Sequence, residues 1–388
     1  MTVSRLREIQ GIAVDRTGGS ADAAHDSEIL RLENMDTDLA PPPEALAATH
    51  QAISRDDCNS YLPFTGHATL RQAAAAHVSR LSGVSYDWNR QCIISAGGLA
   101  GILNTLFALL EPGDEVIVHD PIYIGLLNRI RLAGGVPKFV SLEPTSDGWS
   151  METGALERAA SPRTRVLLMV NPSFPTGAVL TRGDWAAIAE FCRSNNAWLV
   201  YDAALERILF DAHPYIHPAS LPGMADLTIT VGCVSKEYRM IGWRVGWIVG
   251  PSPILADIAR VSMANVVCQV GIAMPGAEAA LIGSDAGVNS AIAEWQRRRD
   301  VMIEELAGLP VIRPGGGWCL LMDTRKLGLD PEIAAQELLE KGKVATTPMN
   351  HWGTERAGAY LRFVFANEPI VRLRSLRERI RRAWRHSL

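Results

Sequence analysis

The sequence predicts an α/β protein, and three observations carry that prediction. Short runs rich in β-branched and aliphatic residues, at 91–94, 116–118, 165–170, 197–201 and 227–231, alternate with stretches of helical periodicity. That is the pattern of βα units feeding one sheet. Four strand ends lead into residues with chemistry to offer: Ser95-Ala96-Gly97-Gly98, Asp120-Pro121-Ile122-Tyr123, Asn171-Pro172-Ser173-Phe174, and Asp202. Ligands of open α/β sheets lie at such carboxyl ends. At 388 residues and 47% hydrophobic, the chain is ample for a large core and for two domains.

Taken in order, residues 1–45 read as an arm. Gly18-Gly19-Ser20-Ala21-Asp22 is expected to break it, and Pro41-Pro42-Pro43 to end it, because the residue before a proline is biased away from helix. A helix follows over 44–54, then a turn-rich link, Asn59 to Gly66, then a helix starting near Leu70. The strand at 91–94 passes through Gly97-Gly98 into a helix over 99–110. A strand, a glycine turn and a helix N-terminus form an anion site, since free N–H groups and the helix dipole both point at the ligand. Residues 129–140 read as helix, turn and strand, 149–160 as helix, 182–195 as helix, and 197–201 as a strand ending at Asp202. Beyond Pro251 the pattern is mostly helical, with a break at Pro275-Gly276 and a long helix over 288–306. Short strands at 311–314, 318–323 and 360–366 suggest a small α+β unit.

Composition excludes several classes. A net charge of −4 gives no reason to expect nucleic acid or an anionic membrane surface. The basic run 372–385 has helical spacing and reads as an amphipathic surface helix. Six cysteines are scattered, without a CxxC or clustering with histidine, which fits reduced thiols in a cytoplasm and neither a disulfide frame nor a zinc site. The N-terminus lacks a signal-peptide apolar core, and no apolar run reaches membrane-spanning length. No metal is expected.

The richest stretch is Val234-Ser235-Lys236-Glu237-Tyr238-Arg239-Met240-Ile241-Gly242-Trp243-Arg244-Val245-Gly246, set between two β-rich runs. A lysine at a strand end is held by the sheet. Arg244, eight residues on and just before the next strand, can face the same pocket. An amine and a guanidinium together suit a cofactor with an aldehyde and a phosphate: lysine makes the Schiff base and arginine forks onto the phosphate.

With its flanks, this stretch resembles the lysine signature of the fold-type-I, pyridoxal-phosphate-dependent aminotransferases, class I/II of the aspartate aminotransferase superfamily. The resemblance runs in order from about residue 30 to 380. It implies a large domain over 46–287 around a mostly parallel seven-stranded sheet, and a small α+β domain over 288–388 joined by the arm 1–45. It further implies pyridoxal 5'-phosphate as cofactor, an amino acid and a 2-oxo acid as substrates, and a homodimer with shared active sites.

The resemblance also assigns residues. Asn59 to Arg71 looks like the family's Tyr-x-x-x-x-Gly-x-x-x-Leu-Arg segment, so Tyr61 would reach the cofactor phosphate of the partner subunit. The backbone of Gly98 and Leu99, with Ser235 and Arg244, would hold the phosphate; Tyr123 would stack on the pyridine ring. Asp202 would keep the ring nitrogen protonated. Lys236 would carry the Schiff base and then act as general base at the α-carbon. Tyr360-Leu361-Arg362-Phe363-Val364-Phe365-Ala366 resembles the strand whose arginine grips the substrate α-carboxylate bidentately, which gives Arg362 that role. Gly315-Gly316-Gly317-Trp318 and Thr347 to Gly353 resemble a hairpin and a loop of the family, with His351 read as a packed loop histidine in preference to a substrate-side group.

Several positions depart from the family pattern. Asn171-Pro172-Ser173-Phe174-Pro175-Thr176-Gly177 carries Phe174 where an asparagine would donate to the cofactor's ring oxygen, and Leu205 stands where a tyrosine would do the same. Phenylalanine and leucine cannot donate. The expected consequence is a raised Schiff-base pKa and altered partitioning, unless Asn171 replaces the lost donor. The departures leave a lyase, decarboxylase or oxidase on the same fold as the alternative to transamination. Met35 stands where the entrance segment usually has a glycine, Cys233 where serine or glycine is usual, and Arg239 where a small residue is usual. A cofactor-binding transcriptional regulator is disfavoured, because about 45 residues of arm leave no room for a DNA-binding domain. Aromatic, aliphatic and cationic substrate side chains all stay open.

Overall fold

The computed structural model describes residues 4–11, 13–23, 25–152 and 154–385. Strands are numbered in chain order: β1 (Leu30–Arg31), β2 (Cys92–Ser95), β3 (Glu115–Asp120), β4 (Val136–Thr145), β5 (Gly148–Met151), β6 (Thr164–Val170), β7 (Trp198–Asp202), β8 (Thr228–Cys233), β9 (Gly246–Val249), β10 (Val311–Ile312), β11 (Cys319–Asp323), β12 (Val344–Ala345), β13 (Thr347–Pro348) and β14 (Tyr360–Val364). The central sheet has the order β2-β9-β8-β7-β6-β3-β4-β5. Strands β8, β7, β6, β3 and β4 run parallel to one another, and β9 is antiparallel to both β8 and β2. Val116, Ile117 and Val118 are all fully buried, as are Leu167, Leu168, Leu199 and Val200. These strands read as unbroken apolar runs because helices cover both faces of the sheet.

The sheet has one strand more than the seven expected. The extra strand is β5, which falls where the sequence reading places a helix over 149–160. It turns back on β4, pairing Gly148 with Thr145 and Met151 with Leu142; only Ala155–Ala159 is helical. The signal was local: Ser146-Asp147 forms a two-residue hairpin loop, and Gly148, which opens the returning strand, takes φ +133. Half-buried Trp149 and buried Met151 flank an exposed Ser150, the two-residue period of a strand.

A second correction concerns the arm. Gly18-Gly19 does not break it, since the helix Ala13–Ala23 runs through both. Two interior glycines disfavour helix by about 1 kcal/mol each relative to alanine. Tertiary packing offsets this where Ala21 buries against Ile29 and Ala345. The arm is then fastened to the C-terminal part of the chain. β1 pairs in parallel with β12, and the Arg31 N–H donates to Glu368 Oε1 at 2.8 Å. The proline run acts as expected, with Pro43 in the first turn of the helix Pro43–Ala52.

The helix Arg182–Asn195 matches its predicted span and starts on a reciprocal capping box between Thr181 and Asp184. The smaller sheet, β10-β11-β14-β13, is antiparallel throughout. It places Arg362 of β14 opposite Leu321 of β11 and Thr347 of β13. The helix Ala286–Glu305 precedes it. The basic C-terminal run forms the helix Leu376–Ala383, which buries Leu376, Ile380 and Ala383. Arginines of that run pair with acids, Arg374 with Glu304 and Arg382 with Glu378.

Candidate active site

At the carboxyl ends of the parallel strands lies a cavity of about 310 Å³. Gly98, Leu99, Tyr123, Asp202, Ser235, Lys236, Arg244 and Arg362 all line it. Eight of the nine residues predicted for the site are thus brought together from six separate stretches of chain. The ninth, Tyr61, is not; it stands 87% exposed and outside the lining.

One end of the cavity is built to receive an anion. β2 ends at Ser95, and the helix Gly98–Leu109 begins on Gly97 without a side-chain cap. Its first N–H groups therefore face the cavity with the positive end of the helix dipole behind them. Gly97 has φ +83, and a Cβ there would collide with the Arg244 guanidinium. Only glycine permits that approach. Arg244 is itself in the left-handed region and exposed at the rim. Its Nη1 donates to Ile241 O at 2.9 Å and to Ser235 Oγ at 3.4 Å.

Lys236 lies in the turn after β8, three residues beyond Cys233. Its Nζ donates to the Met35 carbonyl at 2.7 Å and lies 4.8 Å from the centre of the Trp318 ring. Burial pulls its ammonium down to about 8, because a low-dielectric site disfavours the charged form. The Met35 contact resolves one departure noted in the sequence: the entrance segment brings its backbone to the site although its residue is not glycine. Arg239, the other unusual residue in the signature, ties the same segment down, its Nε donating to Ala40 O at 2.8 Å.

Asp202 ends β7, level with Val170 of β6 and Val231 of β8. It is 6% exposed, and its Oδ1 accepts the Ala204 N–H at 3.1 Å. Burial pushes its carboxyl up to about 6. Behind it, Glu237 accepts from the Arg207 backbone N–H at 2.7 Å and from Arg207 Nε at 2.6 Å. This pair joins the residue after Lys236 to the turn that follows Asp202.

Arg362 is 1% exposed. Its Nη2 donates to Glu33 O and, at 3.1 Å, to Thr347 Oγ1. Its Nε is buried with no partner, and among the described residues no carboxylate pairs with it. A buried guanidinium left without an acid has an open valence for an anion from outside the chain. It lies beside two aromatic rings, with Cζ 5.3 Å from the Phe174 centroid and 4.8 Å from that of Trp352.

Tyr123, Phe174 and Trp352 form one cluster, with centroids 5.3 to 5.6 Å apart. The sequence reading gave Trp352 no role. Its loop is docked by Ile122 N–H donating to Trp352 O at 2.8 Å and by Thr354 Oγ1 donating to Asp120 Oδ2 at 2.5 Å. A Cβ at Gly353 would run into the same Asp120 carboxylate. That glycine in the quoted loop was the available signal.

Phe174 and Leu205 both face the cavity. Asn171 does not; its Oδ1 accepts the Leu180 N–H at 2.8 Å, outside the lining. His351 is exposed at φ +68, so the packed-histidine reading is corrected to an exposed turn residue away from the cavity lining. Among the described residues no group of three histidine, cysteine or acidic side chains could hold a metal ion, and no helix is long and apolar enough to cross a membrane.

Residues 28–380 match the family model for aminotransferase class I and II. The chain is 33% identical over 349 residues to the arginine–pyruvate transaminase AruH of Pseudomonas aeruginosa, covering 88% of this chain and 87% of that one. It is 34% identical to the probable N-succinyldiaminopimelate aminotransferase DapC of Mycobacterium tuberculosis, covering 82% and 80%. The solved structure of N-succinyldiaminopimelate aminotransferase from M. tuberculosis superposes with a TM-score of 0.91 at 31% identity, over 98% and 99% of the chains. Aspartate aminotransferase from Thermus thermophilus with maleate gives 0.91 at 29% identity, over 99% of each. The chain belongs to the class I and II aminotransferase family. It is an aminotransferase of fold type I, in a family that generally uses pyridoxal phosphate.

Proposed function

We propose that this chain moves an amino group between an L-amino acid and a 2-oxo acid, using pyridoxal 5'-phosphate held at Lys236. The supporting observation is the convergence on one cavity of an amine, a carboxylate and two guanidiniums, each set by a different strand or turn. The residues present fit the cofactor. Gly97, where a Cβ would fill the space beside Arg244, leaves a cradle suited to a phosphate. The N–H groups of Gly98 and Leu99, Ser235 Oγ and Arg244 would hold that phosphate, Tyr123 would flank the ring, and Asp202 would face the ring nitrogen. When bound, the cofactor supplies an aldehyde for the incoming amine and a ring that draws electrons from the α-carbon.

The chain's own residues do the rest. Arg362 binds the substrate α-carboxylate through its unpartnered edge and fixes the orientation of the α-carbon. Lys236 Nζ, whose ammonium sits near 8, takes and returns the α-proton close to neutral pH. Asp202 provides the negative charge that keeps a cationic nitrogen protonated beside it. Arg207 and Glu237 hold the Lys236 turn and the Asp202 turn in one register. Borohydride reduction followed by peptide mapping tests the central assignment. The cofactor mass should sit on the Lys236 peptide and be absent in Lys236→Ala; its appearance on another lysine would refute the reading.

Phe174 and Leu205 favour a second outcome on the same scaffold. With no donor from either residue at the ring edge, a lyase, decarboxylase or oxidase on the same fold is the alternative reading, and turnover without an oxo-acid acceptor is what would favour it. We also propose a homodimer. In support, Tyr61, Phe64, Phe107 and Val270 are exposed apolar or aromatic side chains, and Tyr61 would complete the partner's phosphate site. The domain division we favour sets 46–287 apart from 1–45 joined to 288–388, and the β1–β12 pairing supports it. Six unpaired cysteines favour a reducing, cytoplasmic setting.

A further inference from the structure

We infer that Asp120 and Thr354 are positioning residues for the α-carboxylate grip: their clasp seats Trp352 against Arg362 and so fixes the fork of that guanidinium. This rests on the reading of Arg362 as the group that binds the substrate α-carboxylate.

Among the described residues, polar contacts hold Arg362 at one nitrogen. Nη2 donates to Glu33 O and to Thr347 Oγ1, while Nε has no partner. A long, rotamer-rich side chain is not set in one plane by a single nitrogen. Packing supplies the rest, from Phe174 on one loop and Trp352 on another. The plane matters, because hydrogen bonds weaken steeply with misalignment and a bidentate grip needs both of its bonds.

Trp352 has no polar side-chain anchor of its own. It is fully buried, and its Nε1 is without a partner. Its place is set by its backbone, which is tied to the end of β3. Trp352 O accepts the Ile122 N–H at 2.8 Å. Two residues on, the Thr354 N–H donates to Asp120 Oδ1 at 3.2 Å and Thr354 Oγ1 to Asp120 Oδ2 at 2.5 Å. Gly353, between them, has φ +150, and its chain passes so close to the Asp120 carboxylate that a Cβ would collide with it. Asp120 is 3% exposed. Among the described residues Thr354 supplies both donors to its carboxyl, and no lysine or arginine forms an ion pair with it. Removing the Thr354 hydroxyl would strand a buried oxygen, which costs more than an average hydrogen bond contributes. The same strand end leads to Tyr123, whose ring is 5.4 Å from that of Trp352. One clasp therefore sets the grip relative to the ring on the cofactor side.

A second tie lies two residues further. Arg356 forks onto Glu143 at 2.6 and 2.5 Å. The side chains of that pair are 47% and 42% exposed, where an ion pair contributes little. It serves as a control.

The test uses the full-length holoenzyme, the best donor from a panel of L-amino acids, and propanoate, a carboxylate with no amine, titrated by calorimetry. Thr354→Val keeps the size and the backbone donor and removes the hydroxyl. It should raise KM for the donor and Kd for propanoate about 10-fold each, with kcat falling no more than about threefold. Thr354→Ser should return both to within about twofold of wild type, and Arg356→Gln should leave both there. In an Arg362→Leu background Thr354→Val should change kcat/KM by less than about twofold, because residues that act through one contact are not additive. Trp352→Leu should repeat the Thr354→Val pattern, so the inference stays testable even if Thr354→Val fails to fold. An unchanged Kd for propanoate in Thr354→Val, or the same loss with and without Arg362, would overturn the inference and leave the aminotransferase reading standing. Failure of every amino acid to convert in the wild type would instead overturn the aminotransferase reading. The propanoate titrations would still decide whether the clasp serves the grip.

Discussion

The two ends of the cavity were built under different constraints. At the phosphate end, Gly97, Ser235 and Arg244 are locked together by backbone geometry: a glycine at φ +83, a helix N-terminus, and a guanidinium lying where a Cβ would be. At the opposite wall, Phe174 and Leu205 replace two hydrogen-bond donors of the family pattern with apolar surface. On the proposed reading the first end tolerates little change, because a phosphate there would be bound by N–H groups whose positions the fold dictates. The second presents side chains only, which can be exchanged without moving the sheet. The comparison teaches that the anchoring of the cofactor and the tuning of its chemistry are separable in this chain.

The sharpest way to break that comparison is Lys236→Ala. If Lys236 serves both cofactor and α-proton, kcat for 2-oxo acid formation should fall by at least about 10⁴-fold. Activity within tenfold of wild type would mean that another residue does the work. Arg362→Leu comes next. It should lower kcat/KM about 10²- to 10³-fold, as expected for loss of a bidentate charge-assisted contact. Arg362→Lys should recover only part of this, because a point charge cannot fork.

A third prediction concerns the cofactor-free protein. Asp202 has its carboxyl raised from 3.8 to about 6 by burial. The folded state therefore resists ionising it more than the unfolded chain does. Ionised Asp202 costs stability above about pH 6, and the cost shrinks as pH falls and disappears below 3.8. Asp202→Asn should thus stabilise the cofactor-free protein at pH 8 by up to about 3 kcal/mol and not at pH 3.5. Denaturant titrations at the two pH values would show it; equal effects at both would contradict it.

Two smaller effects probe the contrasted walls themselves. Phe174→Asn restores a donor at the ring edge, so the visible absorbance of the bound cofactor should titrate at lower pH than in the wild type. An unchanged titration would show that the edge does not tune the ring. Tyr61→Phe should weaken cofactor retention by about fivefold, the loss of one hydrogen bond. No change in cofactor dissociation would remove Tyr61 from the site.

Much of this was legible before any coordinates. Strand ends and helix spans such as Arg182–Asn195 follow from periodicity, and the eight site residues that line the cavity were assigned through the resemblance to the aminotransferase motifs. The misreadings have physical causes. Trp149 to Met151 looked helical because an apolar stretch with polar interruptions suits either period, and the Ser146-Asp147 turn that decides it was overlooked. Gly18-Gly19 looked like a break because local propensity was read without the packing of Ala21 that overrides it. Trp352 was not assigned because its position depends on Asp120 and Ile122, more than 200 residues away in the chain. Local sequence carries no record of such contacts.

The measurement that tests the central claim most directly mixes purified holoenzyme with each of a panel of L-amino acids and no oxo-acid acceptor. The account predicts a single shift of the cofactor's absorbance and one equivalent of 2-oxo acid per active site, with no further turnover until an acceptor is added. Continuous turnover without acceptor, releasing carbon dioxide or ammonia while the absorbance stays put, would contradict it.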